Sequence, residues 1–281
     1  MRVIAAIIVI ALGAFGYYLL TPEGRQVIDR VHINATRAEY KSLFRAGESL
    51  PGTPDLARID ERLAAHGVSL GVPIFIRIFK LESELELWVK QGDRFVHFAT
   101  YPICLWSGRL GPKLKEGDRQ SPEGFYTVDT DALNPNSRWY RSFNLGFPNA
   151  FDQAHGRTGS FLMVHGGCQS VGCYAVTDPA VGEIWRMVTA ALEAGQSRFA
   201  VHAFPFRMTE RNLRLRRGSE WESFWADLKR GYDLFEEAKV PPVASVCQGR
   251  YVFKPGTIDL PTPVVEQRCP SEIPVNPRRG A

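Results

Sequence analysis

Two periodicities divide the chain. From Pro73 onward, apolar and polar positions alternate. Ile74, Ile76 and Ile78 are interleaved with Phe75, Arg77 and Phe79, and Leu85, Leu87 and Val89 with Glu84, Glu86, Trp88 and Lys90. Gln91-Gly92-Asp93 interrupts as a turn and Phe95 to Thr100 resumes the run, the pattern of strands in a meander. Phe125 to Val128 and Phe161 to Val164 are further apolar runs of strand length. Helical spacing flanks this region. Thr53-Pro54 reads as a helix start, with Leu56, Ile59 and Leu63 on one face and Gly67 at the C-terminal end. Asp178-Pro179 opens a second helix with Val181, Ile184, Trp185, Val188 and Leu192 facing inward. Ser219 and Glu222 read as a capping box for a third, whose stripe of Trp221, Phe224, Trp225, Leu228, Tyr232 and Phe235 is a core face.

The ends differ from this middle. Val3 to Leu20 is eighteen residues without a charge, preceded by Arg2. It reads as a membrane anchor or a signal peptide, and either places the rest of the chain in the periplasm, anchored to the inner membrane or secreted across it. Residues 21–71 are polar and helix-prone, a stalk-like preface expected to serve as a spacer. Residues 72–254 form the candidate catalytic domain. Residues 255–281, with Pro261, Pro263, Pro270, Pro274 and Pro277, read as an extended tail. Asp129 to Gly159, rich in Asn, Pro, Gly and Arg, is a loop long enough to expect a function of it.

Composition narrows the classes. A 44% hydrophobic, 23% charged chain is neither disordered in bulk nor a polytopic membrane protein. A net charge of +4 over 281 residues is too weak for a nucleic-acid footprint. The five cysteines are Cys104, Cys168, Cys173, Cys247 and Cys269, too few for a disulfide scaffold and odd in number. Cys247 and Cys269 are expected to pair and pin the tail, whereas Cys104 reads as a buried strand thiol.

The densest chemistry lies in Phe161 to Asp178, FLMVHGGCQSVGCYAVTD. An apolar strand ends at His165, Gly166 and Gly167 turn the chain, and Cys173 follows eight residues later behind Ser170-Val171-Gly172. A cysteine nucleophile needs a partner to take its proton, because an unperturbed thiol is only about 3% ionised at pH 7. A glycine before the nucleophile lets backbone N–H groups approach an oxyanion. The residues alone leave three readings open: Cys/His catalysis, a short-loop disulfide between Cys168 and Cys173, or a metal site with His165 that lacks a fourth ligand.

The same patch resembles the active-site signature of the L,D-transpeptidase family (YkuD-type catalytic domain), whose motif ends in Ser/Thr-His-Gly-Cys; Ser170-Val171-Gly172-Cys173 stands there. A second family feature, a Gly-rich turn followed by Thr/Ser-Pro-x-Gly and an aromatic strand, appears as Ser107 to Lys113 and then Ser121-Pro122-Glu123-Gly124-Phe125-Tyr126. The similarity spans roughly Val72 to Tyr251 and is nearest the YafK-like branch, through GFPNAFDQAHG, HGGCQSVGCYAVTD and FPFRMTERN. It implies a mainly β catalytic core, a β-sandwich with flanking helices and α+β overall. It implies attack on meso-diaminopimelate linkages of peptidoglycan stem peptides through a cysteine thioester. An amine acceptor then gives a 3–3 crosslink or a lipoprotein attachment; water gives hydrolysis, which in this branch releases murein-bound lipoprotein. Neither metal nor organic cofactor is expected.

Carried over by position, Cys173 is the nucleophile, with Gly172 and Cys173 N–H groups as oxyanion donors. His165 is the base, its ring oriented by the Gly166 carbonyl. His155, eighteen residues before Cys173, has the more usual family spacing but sits in a polar loop, and is the alternative base. Ser170 and Tyr174 are read as substrate-binding. Two departures mark a specialised branch: Val171 replaces the motif histidine, and Tyr174 and Ala175 stand where an Arg or Asn follows the cysteine. Asp152 is read as a loop cap, and Arg138, Arg141 and Arg157 as solvated loop residues. The run Arg211, Arg214, Arg216 and Arg217 is read as a solvated turn. A second reading of the chain is a catalytically inactive cell-wall-binding module with the same fold. An alkylatable, low-pKa Cys173 separates the first reading from the second.

Overall fold

Thr21 and Pro22 start the first helix, α1 (Pro22–Ala46). The Thr21 hydroxyl accepts from the Gly24 N–H at 3.1 Å, Pro22 sits in the first turn where its missing N–H costs nothing, and Gly47 at φ 73° ends the helix. The computed structural model describes Gly16, Tyr18, residues 21–258 and residues 261–269. The anchor or signal reading of residues 1–20 and most of the far tail therefore lie outside the described residues. Among the described residues no helix is long and apolar enough to cross a membrane.

The spacer reading of residues 21–71 is corrected, because α1 is docked. Asp29 is buried and gripped by Arg216, whose Nε and Nη2 donate at 2.9 and 2.8 Å. Ile33 enters the main core. Arg37 lies 4.2 Å over the Trp106 ring and donates to the Gly108 carbonyl at 3.0 Å. Arg216 is thus a buried ion-pair member and not part of a solvated turn; removing one partner of such a pair costs about 3–5 kcal/mol. The helix expected at Thr53-Pro54 begins later. Asp55 caps a 3-10 turn over Leu56–Arg58, and α2 (Ile59–Ala65) follows with Ile59 and Leu63 buried.

The meander is as expected: β1 (Ile74–Phe79), β2 (Glu84–Gln91) and β3 (Arg94–Pro102). Then come β4 (Leu105–Trp106), β5 (Gly124–Asp129), β6 (Leu133–Asn134), β7 (Ser142–Asn144) and the short helix α3 (Ala150–Ala154). The site region is β8 (Met163–His165), β9 (Tyr174–Ala175) and α4 (Asp178–Glu193). The chain ends with β10 (Arg198–Phe204), α5 (Glu210–Arg214), α6 (Glu222–Ala238), β11 (Val243–Cys247) and β12 (Arg250–Lys254). One sheet has the order β3-β2-β1-β10-β5, antiparallel except for β1 against β10; a second has β4-β9-β8-β7-β6, with β8 and β9 parallel. The architecture is α+β with a β-rich core. β1 is central and buried on both faces, so its alternation is apolar on both sides. Arg77 is the exception, held by Glu86 and Glu236 at 2.8 and 2.6 Å.

The aromatic stripe of α6 is core, as read from its spacing: Phe224, Trp225, Leu228, Tyr232 and Phe235 are buried, most of them against Phe79, Phe204 and Phe206. Each such side chain contributes roughly 1.5–3 kcal/mol by leaving water. The capping box before it does not form. Trp221 is the N-cap, and the Glu222 carboxylate instead accepts from the Gly218 N–H at 2.7 Å. The long Asp129–Gly159 segment is largely structured. Asn149 and Asp152 form a capping box on α3, and Arg157 is buried against Asp152 at 2.8 Å, which corrects its reading as a solvated residue. The tail is pinned by the expected Cys247–Cys269 disulfide and by a parallel bridge from Val246 to Gln267.

Candidate active site

Register places the two candidate groups at neighbouring strands. β8 and β9 pair Val164 with Tyr174 and His165 with Ala175. Val164 and Tyr174 are fully buried on one face. Strand alternation therefore turns Met163, His165 and Cys173 to the other face. Cys173 immediately precedes β9, so it lies beside Met163, one strand over and two residues back from His165. Strand spacing of ~4.8 Å and ~3.3 Å per residue put their Cα atoms roughly 8 Å apart, a diagonal that two side chains span. The strand predicted over Phe161–Val164 starts only at Met163. Phe161 adopts φ 55° and is 70% exposed, which turns its carbonyl to Cys173 Sγ at 3.6 Å.

His165 is 3% exposed. Its Nδ1 lies 2.6 Å from the Gly166 carbonyl, which can only accept, so Nδ1 carries the proton and Nε2 the lone pair. The indole of Trp139 stacks on the ring at 6.0 Å and 22°. Burial lowers the imidazole pKa, and the Arg138 charge adds to this, while the Gly166 carbonyl and Asp178 act against it. Gly166 has no room for a side chain: a Cβ would lie 2.5 Å from Asp178 Oδ1 and 2.7 Å from the Trp139 carbonyl. Gly166→Ala is therefore expected to displace the carbonyl that orients His165 and to cut turnover about 100-fold, the scale of an ångström of misplacement. Steady-state kinetics together with the imidazole nitrogen shifts check this; an unchanged kcat sinks it.

Cys173 is the free cysteine among the described residues, and it is partly exposed. Its Sγ accepts from the Met163 N–H at 3.4 Å. Burial raises its thiol pKa, with the Met163 N–H and the Lys113 charge pulling it down less strongly. Burial thus acts against the expected low-pKa thiolate beside an imidazolium, raising the thiol pKa and lowering that of the imidazole. Cys168 does not pair with Cys173. It forms a disulfide with Cys104, so Cys104 is not a free strand thiol. Among the described residues no group of three or more His, Cys, Asp or Glu is placed to hold a metal ion.

The other expected residues separate. His155 sits at the end of α3, with Nε2 2.7 Å from the Gly249 carbonyl and its ring on Phe151 at 4.4 Å. Among the described residues no hydrogen bond joins either histidine to Cys173. Tyr174 is fully buried and donates its hydroxyl to the Pro122 carbonyl, which corrects its reading as a substrate contact. Ser170 donates to the Cys173 carbonyl at 2.7 Å and accepts from the Gly172 N–H at 3.2 Å, so it acts within the loop. That hydrogen bond also occupies the Gly172 N–H, corrected here as a free oxyanion donor. Gly172 itself requires glycine: φ is 131° and a Cβ would meet Leu162 at 3.0 Å. Asp152 caps α3 away from His165. Arg141 lies over Trp185 at 5.2 Å, while exposed Arg138 lies over Trp139 at 5.0 Å. Sequence reasoning missed Trp139, for which no local signal exists. It also missed Asp178, which accepts from the Gly167 N–H at 2.7 Å.

No protein-family model matches the chain. Residues of the chain are 49% identical over 183 positions to proteins of Escherichia coli strain K12 and of Escherichia coli O157:H7, each named "Putative L,D-transpeptidase YafK"; the match covers 65% of this chain and 74% of the relative. Two solved structures are more distant. The helical cell shape determining protein Pgp2 from Campylobacter jejuni is 18% identical with a TM-score of 0.39, covering 65% of each chain. Bd1075 of Bdellovibrio bacteriovorus is 19% identical with a TM-score of 0.34, covering 59% of this chain and 57% of that one. Likenesses this loose carry nothing about the site.

Proposed function

The chain belongs to the L,D-transpeptidase family, and on that premise we propose that it is a periplasmic cysteine enzyme acting on meso-diaminopimelate linkages of peptidoglycan. The observation that supports the reading is a free Cys173 immediately before β9, the strand paired with the β8 strand that ends in His165, with the imidazole fixed by Gly166 so that its lone pair is at Nε2. The thiol proton passes to Nε2 as Sγ bonds to the substrate carbonyl. The tetrahedral oxyanion is met by the Cys173 N–H. Collapse breaks the bond to the leaving amine, which takes the proton back from His165 and leaves a thioester on Cys173. An amine then gives transfer and water gives hydrolysis, releasing murein-bound lipoprotein where that is the linkage attacked. The disulfides Cys104–Cys168 and Cys247–Cys269 accord with an oxidising compartment outside the cytoplasm, and the apolar residues 3–20 with an inner-membrane anchor or an export signal.

Incubating the full chain with purified sacculi carrying bound lipoprotein tests the reading. Released lipoprotein marks hydrolysis, and new 3–3 muropeptides mark transfer. Cys173→Ala is expected to abolish either product. Because burial raises the thiol pKa, iodoacetamide should label Cys173 slowly at pH 6 and increasingly toward alkaline pH. Absence of both products, with Cys173 unreactive throughout, would leave the inactive wall-binding module.

A further inference from the structure

The carbonyl of Cys173 is held twice. The Ser121 hydroxyl donates to it at 3.0 Å and the Ser170 hydroxyl at 2.7 Å. Ser121 Oγ at the same time accepts from the Ser107 N–H at 3.0 Å. Ser107 Oγ lies 2.7 Å from Ser170 Oγ, and since Ser170 spends its proton on Cys173, Ser107 is the donor. Two hydroxyls thus hold one backbone carbonyl, and Ser107 bridges the two. They are anchored from the core: Ser121 is fully buried, and its own carbonyl accepts from Lys80 Nζ at 3.1 Å. Lys80 is in turn ion-paired with Glu123 at 2.9 Å, both side chains fully enclosed.

Thioester chemistry consumes none of these hydroxyls, so their use lies in geometry. Cys173 joins a turn that passes through Gly172 at φ 131° to the start of β9 at Tyr174. The direction of its carbonyl sets its backbone torsions, and these set where the Cα–Cβ bond aims the sulfur. We propose that Ser121 and Ser170 are positioning residues for Cys173, aiming Sγ at the substrate carbonyl through paired hydrogen bonds on the Cys173 carbonyl. The proposal rests on the reading of Cys173 as the nucleophile.

The full chain and the sacculi assay test it. Ser121→Ala and Ser170→Ala are each expected to lower kcat about 10-fold with KM within about 2-fold. Since the two share one acceptor, the double variant should lose more than the product of the singles. Ser121→Thr and Ser170→Thr keep the hydroxyl and should restore kcat to within about 3-fold, which a loss of packing alone would not do. Should Ser121→Ala fail to fold, the partly exposed Ser170 pair of variants decides. Wild-type kcat in the alanine variants, or threonine variants as impaired as alanine ones, overturns the proposal while leaving the nucleophile standing. An active Cys173→Ala variant instead removes the nucleophile itself, and the proposal with it.

Discussion

His165→Ala is expected to lower product formation by about 10²–10⁴-fold, and His155→Ala by no more than about 2-fold. The contrast follows from placement. His165 is fixed at a strand end, its Nδ1 proton committed to the Gly166 carbonyl at 2.6 Å and its ring clamped by Trp139. His155 is committed to Gly249 at the other end of a different contact set. The pH dependence has a definite sign. The base works only when neutral, and burial lowers its pKa, so the acid limb of kcat/KM should have its midpoint below the ordinary histidine value of about 6.5. Arg138→Gln removes a positive field from the ring and should move that limb upward. A midpoint above 6.5, or a dead His155→Ala beside an active His165→Ala, would reverse the assignment.

What was legible in the chain was local. The helix opening at Asp178-Pro179 is a short-range feature that lies where its pattern put it, and the apolar run before His-Gly-Gly does give a strand, though one that starts only at Met163. The misses are contacts between distant residues. Asp29 meets Arg216 across 187 positions, and that contact makes a packed helix of an expected spacer. Trp139 reaches His165 only because the long loop folds back over β8. Burial is the other source of error. A histidine near a cysteine suggested an ionised pair, but the sheet encloses both groups, and desolvation outweighs the neighbouring charges. Tyr174 follows the same logic: next to the nucleophile in sequence, it points to the opposite face of the strand and into the core.

The Cys104–Cys168 disulfide is expected to support both stability and turnover, and Cys104→Ser alone should be worse than Cys104→Ser/Cys168→Ser. The bridge closes a sequence separation of 64, for which chain entropy gives about 4 kcal/mol. That is a large share of the roughly 5–15 kcal/mol by which domains are stable. Cys168 also lies in the short loop that joins His165 to Cys173, and the bridge fixes this loop to the residue just before β4, the strand paired with β9. Leu50 is buried with the two sulfurs, and Tyr40 and Leu43 of α1 pack on them, so the bridge ties the N-terminal helix to the loop as well. Without it the loop loses its covalent anchor and is held by hydrogen bonds such as Gly167–Asp178, Gly166–Arg141 and those of Ser170, and kcat should fall about 10–100-fold. The single variant adds a chemical fault. It frees the Cys168 thiol five residues from Cys173, where an external disulfide such as oxidised glutathione can oxidise the two thiols to a Cys168–Cys173 bridge, itself reduced to two thiols, and so consume the nucleophile. Replacing Cys247 and Cys269 serves as the control. Their bridge closes a separation of 22, worth about 3 kcal/mol, but pins only the tail, so stability should fall with kcat unchanged. Urea midpoints and kcat, measured on all three variants with mass mapping of the disulfides, give the answer. An unchanged kcat in Cys104→Ser/Cys168→Ser, or a single variant as active as the double, would show that the loop needs no such tether.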